Sequence, residues 1–560
     1  MRRWVFWTCG YLLFLAVAFG SMVAWLSIDP GREPVGPNIV SAWREGSRVG
    51  RHVTAGPTAE LASRLAAENV TVIVERVVDV GPVLAVNPRV FALSFVAGRD
   101  GVEASCAGKT AYLTPDDLLQ RQLYDPGAQS SERNLRRGID VDAALALLAR
   151  EIGCSESELR RRGKFRRFIV RREVLQRPSN EPARAANALP TVANLERAAK
   201  MAAQFLARNL GADGLFRYEI KATTGELVPG YNWPRHGGAT LFLTEAAGYF
   251  RDKGMTRAAQ RAARRLRDET TLRCGAHACI GEGDEVDVGS SALAVLSYAE
   301  LVDAQIDESF LAPLLELTAF LRSQQRADGE FMHLYDRRGQ RAVDRQLPFY
   351  SGEAAFALAR AHRVTKNPAD LTAASRALRY LTSQRWSFFG SRYYFDAEHW
   401  TCQAVDELWQ RAPDPDALAF CLRWTAYNRA FQFGSTPIGD YDGGFANNPF
   451  FPPRLTPAGS RTEGAAATLV AATRAAAHSP ELVDESELSL LEAQVARALG
   501  FLIRYQLPTR QHLLADPNAV RGGFPGSPVD LSLRIDFQQH SGSAMLRFAQ
   551  FLKQRSKAAR

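Results

Sequence analysis

A chain of 560 residues is too long for one compact core, so a large domain and a smaller one are expected. Its 46% hydrophobic and 23% charged residues are those of a globular protein and exclude a disordered chain. The net charge of +9, carried mainly by arginine on stretches such as Arg257–Arg267, is modest. With no nucleic-acid motif beside it, it reads as solvated helix surface or as attraction to acidic polymers or anionic lipid, not as nucleic-acid binding.

Arg2 and Arg3 precede Trp4–Ile28, a stretch without a charged residue, and Asp29 follows it. That length spans a bilayer as a helix, and Trp4, Trp7, Tyr11 and Trp25 lie partly towards its ends, as interfacial aromatics do. Residues 1–29 are therefore expected to form a single-pass anchor in the inner (cytoplasmic) membrane, with the body on the periplasmic side. Ala16-Val17-Ala18 leaves a cleaved signal peptide as the alternative, and either reading exports the body. In an oxidising compartment Cys274 with Cys279, and Cys106 with Cys154, are plausible disulfides, with buried thiols the alternative.

Residues 30–57 are rich in Gly and Pro and read as a linker. A small α+β domain is expected over 58–178. It has a short helix at 58–68, strands at 70–78, 90–96 and 164–174, a strand running into a helix capped by Thr114, and helices at 140–152 and 155–162. Pro178, Pro182 and Pro190 mark a second linker at 179–190.

A repeat organises residues 191–556. A tight turn followed by Phe recurs at Asp213–Phe216, Asp328–Phe331, Asp442–Phe445 and Gly522–Phe524. Half the interval falls on loops at 274–285 and 386–395. Twelve segments with helical apolar spacing lie between: 193–209, 237–252, 255–269, 288–304, 308–324, 350–363, 367–383, 397–411, 414–430, 461–477, 484–506 and 538–554. Odd-numbered segments are Arg- and Glu-rich with one apolar stripe and belong outside. Even-numbered ones are apolar almost all round and belong inside. The inner ones open alike: His236-Gly-Gly-Ala, Val288-Gly-Ser-Ser-Ala, Tyr350-Ser-Gly-Glu-Ala, His399-Trp-Thr-Cys-Gln-Ala, Arg461-Thr-Glu-Gly-Ala and His540-Ser-Gly-Ser-Ala.

On these six matching starts the region resembles the (α/α)6 toroid superfamily of six-hairpin glycosidases, polysaccharide lyases, uronyl epimerases and lanthionine-cyclase-like zinc proteins. The resemblance is one of architecture and carries no diagnostic catalytic motif. The expected fold is thus mainly α: a six-hairpin toroid preceded by a small α+β domain and a transmembrane helix.

In a toroid the inner helices run parallel, so their N-termini share one face. Polar and aromatic runs stand there: Tyr231–His236, Glu282–Asp287, Phe349-Tyr350 with Glu353, Asp396–Trp400, Arg461 with Glu463, and Arg534–His540. Trp233, Tyr350, Phe395 and Trp400 suit stacking on sugar rings. Asp287, Glu353, Glu398 and Asp536 are candidate acids, bases or nucleophiles. Arg235, Arg461 and Arg534 suit carboxylates of an acidic glycan. Asp287 and Asp396 serve equally well as helix caps, and Arg534 and Asp536 as a simple ion pair. His236, Glu463, His399 and His540 complete the group, the last two as candidate catalytic residues. No cofactor is required. Zinc held by His236, His399, Cys402 and His540 is the metal alternative.

Three functions follow: an extracytoplasmic hydrolase, lyase or epimerase of an envelope or secreted polysaccharide; a non-catalytic polymer-binding scaffold of an envelope assembly complex; and a zinc toroid acting on a peptide.

Overall fold

The computed structural model describes residues 33–66, 69–83, 87–125, 138–177, 190–385, 398–434, 441–445 and 452–558. The expected anchor at 1–29, the linker at 179–189, Phe395 and Asp396 lie outside them. Among the described residues no helix is long and apolar enough to cross a membrane. The chain divides into two compact units. The first takes residues up to 183 with 433–442 and 510–515, and the second takes the rest.

The first unit is built on strands β1 (Asn38–Arg44), β2 (Ser47–Thr54), β3 (Thr71–Pro82), β4 (Asp100–Cys106) and β5 (Lys109–Leu113). After the short pair β6 (Tyr124–Asp125) and β7 (Gly138–Ile139), β8 (Lys164–Gln176) completes an antiparallel sheet of order β2-β1-β3-β8-β4-β5. The helices are α1 (Ala59–Leu65), α2 (Pro88–Leu93), α3 (Pro115–Gln120), α4 (Val141–Ile152) and α5 (Glu156–Arg162).

Two expectations fail in this unit. Residues 30–57 are not wholly a linker, because β1 and β2 form one end of the sheet there. Residues 90–96 are not a strand, since 88–93 form α2. Pro88 opens that helix and Asn87 accepts from Val90 N, a local start signal that outweighs the β-branched and aromatic composition. Thr114 and Ser155 do cap their helices.

One sheet face packs Val40, Ala42, Val72 and Val74 against Ala62 and Leu65 of α1. Elsewhere in the unit polar groups are buried: Glu75, Asp116 and His512, with Arg172 Nη2 3.0 Å from Asp116 and His512 Nε2 2.8 Å from it. Of the two readings of Cys106 and Cys154, a disulfide or thiols, the structure holds the thiols.

Among the described residues the second unit holds twelve α-helices: α6 (Val192–Arg208), α7 (Trp233–Phe250), α8 (Lys253–Thr270), α9 (Val288–Asp303), α10 (Leu311–Ser323), α11 (Tyr350–Thr365), α12 (Pro368–Ser383), α13 (Glu398–Trp409), α14 (Pro415–Arg429), α15 (Leu455–His478), α16 (Glu485–Tyr505) and α17 (Ile535–Ala558). The odd-numbered helices touch in a closed ring, α7-α9-α11-α13-α15-α17 and back to α7, and the even-numbered ones pack outside it. This is the expected toroid.

The small residues at the inner starts make the ring possible. A Cβ on Gly237 would sit 3.0 Å from Leu293, and one on Gly352 3.0 Å from Trp400. A Cβ on Gly464 would sit 2.8 Å from His399, and one on Gly542 would run into Phe242. These contacts join the N-terminal parts of neighbouring inner helices, so the six run parallel.

The recurrent turns have a second role. Gly214, Gly329, Gly443 and Gly522 all take positive φ, and Phe216, Phe331, Phe445 and Phe524 are buried beneath them. Each glycine lies against the backbone of the next outer helix: Gly214 on Arg261, Gly329 on Arg376, Gly443 on Arg497 and Gly522 on Met201.

Candidate functional site

Three inner helices bring His399, Glu463 and His540 to one place. Helix α15 starts two turns before the expected Arg461, so Glu463 lies in its third turn and is 1% exposed. His540 Nδ1 lies 2.6 Å from Glu463 Oε2. The His399 ring meets the His540 ring edge-on at 5.3 Å, and Trp400 stands 4.9 Å from one and 5.8 Å from the other. One ligand atom of each of His399, Glu463 and His540 falls within 4.8 Å of the others. Gly459 and Gly464 permit this approach: a Cβ on Gly459 would meet His540 at 3.0 Å. Burial pushes the Glu463 carboxyl up and His540 draws it back. With Glu463 ionised, His540 Nδ1–H donates to it, which leaves the Nε2 lone pair as an acceptor.

Glu353 stands on α11, in the first turn. Burial, then the charge of Asp287, pushes its carboxyl up to about 8, so it is protonated at neutral pH. Its Oε2 is buried without a hydrogen-bond partner among the described residues. Tyr350 and Glu353 both pack against Gly289, and burial also raises the Tyr350 hydroxyl. Asp287 caps α9, accepting from Ser290 N at 2.6 Å and from Ser290 Oγ at 3.0 Å.

Asp536 is pinned. Arg534 Nε and Nη2 donate to it at 2.7 and 3.0 Å, and Arg235 Nε at 3.2 Å. Burial alone would raise its carboxyl, but Arg534 and then Arg235 hold it below the usual range. Arg235 also donates to Tyr218 Oη at 2.8 Å. Nearby, Trp233 Nε1 donates to Glu282. Arg461 is 1% exposed, its guanidinium 5.4 Å from the Phe445 ring centre. Glu398 is buried and accepts from Thr401 Oγ1 at 2.8 Å.

The zinc set His236, His399, Cys402 and His540 does not assemble. Cys402 is bonded to Cys421, so it has no thiolate to offer. His236 is buried between Tyr231 Oη at 2.6 Å and the Ala262 carbonyl at 2.9 Å, with both nitrogens occupied, and burial lowers it to about 4. Among the described residues, those able to hold a metal are His399, Glu463 and His540, a set in which Glu463 replaces the other two. Cys274 and Cys279 form the expected disulfide.

A group the sequence did not single out lies beside α11. His333 Nε2 is 2.6 Å from Ser351 Oγ, which is 2.5 Å from Glu330 Oε1. It has the membership of a nucleophilic triad but the wrong proton direction. Leu347 N–H occupies His333 Nδ1 at 2.7 Å, so Nε2 carries the proton and donates to Ser351, whose own proton goes to Glu330. These residues hold the start of α11. Only the proximity of Glu330 and His333 to a repeat turn could have signalled them.

No protein-family model matches the chain, and no curated protein matches it. Solved structures align with part of it. A D-mannose isomerase aligns at 13% identity over 66% of this chain and 100% of its own, with a TM-score of 0.49. An unsaturated glucuronyl hydrolase specific for heparin aligns at 15% identity over 64% and 98%, with a TM-score of 0.47. Cellobiose 2-epimerase from Bacillus thermoamylovorans B4167 aligns at 12% identity over 64% and 98%, with a TM-score of 0.47.

Proposed function

We propose that the chain is a membrane-anchored, extracytoplasmic enzyme of carbohydrates that moves a proton at a sugar carbon beside a carbonyl or carboxylate. Its products would be epimers, isomers or unsaturated sugars of an envelope or secreted saccharide. The observation that carries this is the His540–Glu463 pair facing His399. His540, oriented by Glu463, takes the proton through Nε2, and His399 across the gap returns or delivers one. Protonated Glu353 supplies a hydrogen bond to the oxygen on which charge develops.

Hydrolysis fits less well. It needs two carboxyl groups at a set separation, one of them ionised and available. Among the described funnel carboxyls Asp287 caps a helix, Asp536 is held by two arginines and Glu463 orients His540. The aligned solved structures carry the names of a D-mannose isomerase, an unsaturated glucuronyl hydrolase and a cellobiose 2-epimerase. The anchor rests on Trp4–Ile28, and two disulfides in the toroid suit an oxidising compartment.

The full-length chain in detergent, incubated with neutral and acidic oligosaccharides, tests the reading by product identity. Stereoisomeric, isomeric or unsaturated products are expected, falling at least ~100-fold in His399→Asn and His540→Asn. Shortened saccharides as the sole product would make it a hydrolase, and polymer retained without turnover a scaffold. A second reading, zinc on His399, Glu463 and His540, is favoured by their mutual 4.8 Å spacing. Stoichiometric zinc in the purified chain, with activity lost to chelators, would select it.

A further inference from the structure

We infer that Cys106 and Cys154 are a disulfide-forming pair, a third covalent staple that closes when the chain meets a disulfide-bearing oxidant. Cys106 is buried at the end of β4, where the strand turns through Ala107 and Gly108 into β5. Cys154 is half-buried and follows Gly153, the left-handed residue that ends α4, just before Ser155 caps α5. Burial and then the neighbouring Cys154 raise the Cys106 thiol. Their surroundings meet as well: Lys109 pairs with Cys106 across the turn, and its Nζ lies 3.9 Å from where a Cβ on Gly153 would stand. The other four cysteines outside the N-terminal stretch are already paired, as Cys274–Cys279 and Cys402–Cys421.

The chemistry needs one external disulfide, R–S–S–R′. The less buried thiol, Cys154, loses its proton and attacks it, giving a Cys154–S–S–R mixed disulfide and releasing R′–S⁻. The Cys106 thiolate then attacks Cys154 Sγ and releases R–S⁻. The two cysteines give up two electrons and two protons, and the external disulfide takes both pairs. The bond would tie the β4–β5 turn to the α4–α5 corner and close a loop of roughly 50 residues, long enough to restrict the unfolded chain substantially. The pairing rests on the approach of the β4–β5 turn to the α4–α5 corner; only the natural supply of oxidant rests on the proposed extracytoplasmic placement.

The test alkylates the full-length chain with N-ethylmaleimide, as isolated from membranes and after oxidised glutathione, followed by peptide mass analysis. After glutathione, the peptides carrying Cys106 and Cys154 are expected cross-linked and unalkylated until dithiothreitol is added. Closure already present on isolation supports the placement too. Open thiols on isolation that close with glutathione leave the pair standing and count against the placement. Both cysteines alkylated after glutathione, stable glutathione adducts on each, or a bond from either to another cysteine would overturn the proposal. Closure should raise the Tm of the first unit by several degrees over Cys106→Ser/Cys154→Ser. Equal melting of a closed chain and that variant would overturn the stapling role.

Discussion

At the scale of single residues the site turns on which nitrogen and which oxygen are left for substrate. Glu463 occupies His540 Nδ1, so its removal should cost orientation and basicity and leave binding contacts in place. Glu463→Gln is expected to lower kcat about 10- to 100-fold with little change in KM, and to shift the acid limb of the pH–rate profile. An unchanged profile would detach Glu463 from the chemistry. Glu353 gives a stability test. Its carboxyl stays protonated in the fold up to about 8 but ionises near 4.5 when unfolded. The folded state therefore holds the extra proton between those values, and stability falls as pH rises through that window. Glu353→Gln, which mimics the neutral acid, should flatten the fall and melt at least as high as wild type at pH 8. A steeper fall would contradict the assignment.

His399 and His540 were legible because they occupy matching positions on inner helices. His236 shares that register, yet it is buried between Tyr231 and Ala262. Spacing gives a position along a helix and says nothing of which neighbour a ring meets. Glu463 was readable as a funnel residue but not as the partner of His540, because α15 begins earlier than its small-residue signature and carries Glu463 deeper.

At the scale of elements the glycines decide. Gly329 has φ +105° with the Arg376 carbonyl 2.5 Å from where a Cβ would be, and Gly542 abuts Phe242 within the inner ring. Gly329→Ala and Gly542→Ala are each expected to destabilise the toroid by roughly 1–3 kcal/mol, read as a lowered denaturant midpoint. Neutral substitutions would mean that the turns and the ring seam are slack. The twelve toroid helices were legible, since the outer ones write a 3.6-residue apolar period and the inner ones stay apolar for longer than a strand runs. The first unit was less so. Its β1 hides behind Gly- and Pro-rich flanks, and 90–96 has strand composition around a helix whose start is set by Asn87 and Pro88. Short elements carry too few periods for pattern to outvote local signals.

At the scale of the molecule, pH acts on both units. In the first, burial and then Asp116 and Asp117 push the Glu75 carboxyl up to about 8, while burial lowers His512 to about 4. The raised carboxyl costs stability as pH climbs from 4.5 to 8. The depressed imidazole costs it as pH falls below 6.5 towards 4, because the unfolded state then binds the extra proton. The thermal midpoint should therefore peak between these limits, and Glu75→Gln should extend the plateau upwards. A midpoint still rising at pH 8 would refute this. The proposed anchor predicts that protease added to spheroplasts digests the body while Met1–Arg3 stay protected; a fully protected body would place it inside.

The central claim is proton transfer at a sugar carbon by His399 and His540. Its most direct measurement is solvent exchange: the full-length chain, incubated with a saccharide in D2O, followed by NMR. Deuterium entering a carbon-bound position beside the carbonyl or carboxylate, and absent with His399→Asn or His540→Asn, is the predicted result. Turnover without deuterium incorporation, or incorporation that survives both substitutions, would contradict it.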